Sequence, residues 1–76
     1  MKPLLSQDVA RSITLNGEPR TVPGGSTVAS LVHDLGLKTD RVAIELNREI
    51  VTRTAWEGTE IPDAAQIEIV QLVGGG

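Results

Sequence analysis

The sequence predicts an α+β domain in which one helix lies across one face of a small mixed sheet. Three observations predict it. A single stretch, Val28, Leu31, Val32 and Leu35, places apolar residues at i, i+3, i+4 and i+7, the stripe of an amphipathic helix. Strand patterns flank it, two short ones before and three after. The chain has 76 residues, the size of one domain, so these elements must share one core.

Residues 1–10 read as an N-terminal extension: Pro3, Ser6, Gln7 and Asp8 stand among Leu4, Leu5 and Val9, as in a loose arm, an extra strand or an expression remnant. The domain is expected over residues 11–73. Ser12-Ile13-Thr14-Leu15 alternates at period two, and Asn16-Gly17 after it suits a hairpin turn needing positive φ. The return strand, Glu18 to Val22, carries Pro19, which cannot donate to a ladder and therefore belongs at a strand start or sheet edge. Pro23-Gly24-Gly25-Ser26 breaks the pattern before the helix. Thr27 is the better-placed N-cap and Ser26 the poorer one. The third position after Thr27 is Ser30 rather than Glu or Gln, so no capping box is expected. Gly36-Leu37 has the form of a left-handed helix termination with its apolar contact.

Val42, Ile44 and Leu46 alternate with Ala43 and Glu45, and Asn47-Arg48 turns the chain toward Glu49-Ile50-Val51. Thr52 to Ala65, with Gly58, Pro62 and Asp63, reads as an irregular segment wrapping an edge. Gln66 to Val73 is a last strand that runs straight into Gly74-Gly75-Gly76. Its near-continuous apolar run suits a central position beside the first strand. The order β-β-α-β-β-β is that of the β-grasp, the ubiquitin-like fold.

Composition excludes several classes of function. Without cysteine the chain has no disulfide, thiolate metal site or thiol nucleophile. The net charge of −3, with basic residues scattered, argues against a surface that tracks phosphates, and one aromatic, Trp56, cannot make a base-stacking platform. No apolar run approaches a membrane span, and Met-Lys-Pro-Leu-Leu-Ser lacks the apolar core of a signal peptide. A cytoplasmic protein, monomeric when alone, with no nucleic-acid or membrane partner, is the expectation. His33 falls opposite the helix stripe and faces solvent without a second soft ligand, so no metal site is expected. The carboxylates are dispersed, with no pair placed as a general acid and base.

Gly74, Gly75 and Gly76 contribute nothing to stability, because each loses more backbone entropy on ordering than any other residue. They suit a main-chain carboxylate that enters a narrow channel, where side chains would obstruct the approach. Three extended residues reach roughly 10 Å, enough to carry a terminus into another protein's active site. A frayed end is the bland alternative.

Leu15-Asn16-Gly17-Glu18, Gly25 with Thr27-Val28, Leu31 and Leu35, Val42-Ala43 with Glu45-Leu46-Asn47, Glu49-Ile50-Val51, Arg53, Trp56, Ile67-Glu68-Ile69-Val70 and Val73-Gly74-Gly75-Gly76 together resemble the ThiS family, the sulfur carriers of thiamine biosynthesis. Departures are the N-terminal extension, Arg48 where the family often has glycine, and Thr52 where proline is common. The resemblance implies that a ThiF-type enzyme adenylates the Gly76 carboxylate with ATP. A persulfide donor then converts the adenylate to a thiocarboxylate, and thiazole synthase, ThiG, takes the sulfur. The chain itself is then no enzyme but a cosubstrate, without a cofactor of its own. Carriers for molybdopterin or cysteine synthesis, a ubiquitin-like modifier joined through its C-terminal glycine, and a plain interaction module are the other readings.

Further candidates lie on the sheet. If Ile67 and Ile69 face the helix, Val70 and Leu72 face outward with Ala43, forming a docking patch beside the tail unless the Thr52 to Ala65 segment covers them. Trp56 either packs over the sheet edge or contacts a partner. Arg53 reads as a solvated charge or a local loop partner.

Overall fold

A computed structural model describes residues 9–72, so the tail and the first eight residues lie outside it. Its strands are β1 (Arg11–Leu15), β2 (Glu18–Val22), β3 (Val42–Leu46), β4 (Glu49–Val51) and β5 (Gln66–Gln71). One helix, α1 (Val28–Asp34), and 3-10 turns at Thr39–Arg41 and Arg53–Ala55 complete it. The sheet order is β2-β1-β5-β3-β4, with β1 and β5 parallel and the other neighbours antiparallel. This is the β-grasp arrangement, and the last strand is central as its apolar run predicts.

Both hairpins turn on two residues with positive φ, Asn16 (51°) and Gly17 (84°) in the first, Asn47 (52°) and Arg48 (72°) in the second. Such pairs match the right-handed twist of the strands they join. Pro19 sits on the edge strand β2, where its missing N–H costs no ladder bond.

The capping box expected to be absent is present. Ser30 N–H donates to Thr27 Oγ1 at 3.1 Å while Ser30 Oγ accepts from Thr27 N–H at 2.9 Å, so a serine hydroxyl does what glutamate does at this position. Serine's shorter reach suffices here because its hydroxyl also bonds back to Thr27 C=O at 2.9 Å. The helix ends as expected: Gly36 (φ 71°) donates to His33 C=O and Leu37 N–H to Val32 C=O, the paired bonds of a Schellman motif.

The Thr52 to Ala65 segment departs from its expected course. It turns inward, burying Trp56, Ile61 and Ala65 with Val28, Leu31, Ile44 and Ile67 in one aliphatic core. Carbonyls of Thr59 and Trp56 accept from Val28 and Ala29 N–H at 3.0 and 3.2 Å, satisfying donors that the first helical turn leaves without partners. Arg11 pins the same segment, its guanidinium 2.7 Å from Ile61 C=O and 2.8 Å from Glu60. No described helix is long and apolar enough to cross a membrane.

Candidate functional site

Alternation along β5 divides its side chains between two faces. Ile67 is 1% exposed and lies under α1, with Ile69 partly buried beside it. Val70 points the other way and is 55% exposed; Leu72, just past the strand, is 53% exposed. In register with Val70 on β3 stands Ala43, also exposed. The three sequence candidates Ala43, Val70 and Leu72 therefore share the outer side of the sheet, and the Thr52 to Ala65 segment does not cover them because it runs beneath the opposite face.

Trp56 does not join them. It is 4% exposed, and its indole Nε1 donates to Val51 C=O at 2.8 Å, so the ring packs in the core and has almost no surface to offer a partner. Arg53 and His33 are exposed, and the His33 imidazole lies 3.8 Å from Asp34. An open groove of about 730 Å³ between the end of α1 and the Arg53 to Glu57 stretch lies on the helix side, away from the patch.

Sequence reasoning missed Ile50. At 73% exposed it is the most open large apolar residue described, and it faces Glu45 across the β3–β4 hairpin on the same outer surface. The signal was available: a two-residue turn at Asn47-Arg48 fixes the register, and register decides the face. Glu45 also stands opposite Glu68 of β5. Two like charges directly opposed on a sheet repel. The outer surface thus has an apolar row nearest the tail (Leu72, Val70, Ala43) and an acidic row behind it.

Among the described residues no polar or charged residue is buried, and no three His, Cys, Asp or Glu side chains are grouped to hold a metal. β5 runs along the middle of the sheet, the last backbone hydrogen bond among the described residues is Leu72 N–H to Arg41 C=O at 2.7 Å, and Val73, Gly74, Gly75 and Gly76 follow in the sequence. Those glycines lie outside the described residues.

A model of the ThiS family matches residues 13–76, which takes in nearly the whole domain and the glycines. The chain belongs to the ThiS family. The crystal structure of the thiamine biosynthesis protein ThiS from Geobacter metallireducens superposes with a TM-score of 0.73 at 34% identity, covering 86% of this chain and 99% of that one. A solution structure of a thiamine biosynthesis protein from the same organism gives 0.69 at the same identity, covering 86% and 87%. Thiazole synthase of Magnetococcus marinus is 38% identical over 64 residues, 84% of this chain, and that of Paramagnetospirillum magneticum 36%. The chain spans only 20% of the length of either synthase. The ycf40 protein of Pyropia yezoensis is 34% identical over 65 residues, 86% of this ThiS-family chain and 92% of its own length.

Proposed function

We propose that this chain carries sulfur on the carboxylate of Gly76 for formation of the thiazole ring of thiamine. The observation that carries the proposal is the ThiS-family match, whose bounds take in the three glycines. A carboxylate is too poor an electrophile to accept sulfur directly. Attack of its oxygen on the α-phosphorus of ATP, held by a ThiF-type activating enzyme, makes an acyl-adenylate and releases pyrophosphate; the terminal sulfur of a persulfide donor then attacks the acyl carbon, AMP leaves, and a second thiol cleaves the acyl disulfide so formed, freeing the thiocarboxylate and leaving the donor as a disulfide. The resulting thiocarboxylate gives its sulfur to thiazole synthase. Support for that acceptor comes from the two relatives named thiazole synthase, in each of which a segment similar to this chain occupies a fifth of the polypeptide.

In this reading the chain is a cosubstrate without a cofactor. The apolar row of Ala43, Val70 and Leu72 is where the partners grip, placed so that a protein seated on it receives the tail. Ile50 extends the row toward β4. Intact mass after incubation with ATP, the activating enzyme and a sulfur donor tests the proposal. A gain of about 16 Da, oxygen replaced by sulfur, is expected. Deleting Gly75 and Gly76 abolishes that gain and leaves the fold intact. A protein that keeps its original mass, or that appears only as heavier isopeptide conjugates, ends the carrier reading.

A further inference from the structure

The two flanks of β5 end at different residues. On the β3 side the ladder runs from Leu46↔Ile67 to Val42↔Gln71, and the Leu72 bond to Arg41 extends it. On the β1 side only Thr14↔Gln66 and Leu15↔Ile67 pair before β1 turns away at Asn16.

Asn16 itself continues that flank. Its N–H donates to Ile67 C=O at 2.8 Å, its Oδ1 accepts from Ile69 N–H at 2.8 Å, and its Nδ2 donates to Ile69 C=O at 3.3 Å. A primary amide has the donor and acceptor of a peptide unit, so the side chain stands in for one more residue of β1. Few residues meet both local demands, a backbone at φ 51° and an amide one carbon from it. Asn47 occupies the same position of the other hairpin turn and grips the opposite end of β5: its N–H donates to Gln66 C=O at 2.7 Å and its Oδ1 accepts from Gln66 N–H at 2.9 Å. One turn holds the start of the strand. The other holds its last tie on the β1 side.

We propose that Asn16 is a positioning residue for charging of the tail: by fixing Ile69 it sets where the chain leaves the sheet and in which direction. The proposal rests on the carrier reading, because direction matters only if the terminus must enter another active site. Asn16 touches no reacting atom and acts through the backbone of Ile69. Release at Ile69 leaves Val70, Gln71 and Leu72 held from the β3 side alone, so this end of β5 opens more readily. Effective concentration at the end of a chain falls roughly as the −3/2 power of its length, so loosening these residues dilutes the terminus about two- to threefold.

The test compares Asn16→Gly, which keeps the turn and removes the amide, with Asn47→Gly. Loss of two hydrogen bonds of ordinary net strength speeds amide exchange at Ile69 about thirtyfold in Asn16→Gly. In adenylation by the activating enzyme, Asn16→Gly is expected to raise KM for the carrier about two- to threefold with kcat unchanged. Asn47→Gly, which removes one side-chain bond at the start of β5, lowers stability and leaves KM alone. Asn16→Asp keeps the acceptor for Ile69 N–H and tolerates the turn, so its KM falls between; it also serves if the glycine variant does not fold. Unchanged exchange at Ile69, or faster exchange with KM equal to that of the unaltered protein, overturns the positioning role and leaves the carrier reading standing. An unaltered protein that is never adenylated removes both.

Discussion

Replacing Arg48 by glycine is expected to stabilise the fold although it deletes a side chain. Arg48 occupies the second turn position between β3 and β4 at φ 72°, a left-handed conformation that places Cβ against the following carbonyl. Its counterpart in the first hairpin is Gly17 at φ 84°, where an added Cβ would meet nothing within 4 Å. The cost at such a position therefore lies in the backbone rather than in packing. Left-handed geometry costs an L-residue about 1–2 kcal/mol. The greater freedom of glycine in the unfolded chain returns about 0.4–1 kcal/mol of this. The balance is a gain of about 0.5–1 kcal/mol, or about 2–8 °C in Tm for a domain of this size. Arg48 also stands near Glu45 and Glu68 without forming a close ion pair with either, and an exposed attraction of that kind contributes at most about 0.5 kcal/mol. Thermal unfolding in high salt screens that contribution, and Arg48→Lys, which keeps charge and geometry, should leave Tm where it is. Ala64→Gly offers a companion without charge, since Ala64 sits at φ 64°. A midpoint that falls in high salt for Arg48→Gly, with Gly17→Ala having no effect, would refute the strain argument.

Two further outcomes follow from the packing. Leu72→Asp should change stability by no more than about 0.5 kcal/mol, because the site is already half exposed, yet weaken binding to the activating enzyme by about tenfold or more through loss of apolar burial; unchanged affinity by calorimetry removes the outer face from the interface. Trp56→Phe loses the indole bond to Val51 and part of the core volume, and should cost about 1–3 kcal/mol in urea unfolding followed by circular dichroism; an unaltered midpoint contradicts the core role given to the ring.

Much of this architecture is legible in the sequence because single residues announce it. Asn16-Gly17 fixes a turn, the spacing of Val28, Leu31 and Val32 fixes a helix and its buried stripe, and the run from Ile67 to Val70 marks a strand with neighbours on both sides. The outer placement of Ala43, Val70 and Leu72 follows from period-two alternation alone. What escaped depends on tertiary partners. Ser30 completes a capping box because its hydroxyl finds two backbone groups at once, which residue type does not reveal. Trp56 is buried because the loop carrying it is tied to the first turn of α1 through carbonyl acceptors, and no periodicity marks such a bond. Ile50 was hidden in a strand of three residues, too short for alternation to be read without carrying register across the turn.

The place of β5 in the sheet also decides when the molecule can exist. The β1–β2 and β3–β4 hairpins lie on opposite sides of β5 and share no ladder of their own, so neither half of the sheet meets the other until the final strand is laid between them. Parallel pairing of β1 with β5 closes a loop of some fifty residues, which makes it a slow step. Ala43 and Val70 come side by side when β5 pairs with β3. Half-folded molecules therefore lack the Ala43–Val70 pairing, and the partner proposed to dock there would engage only chains whose sheet has closed.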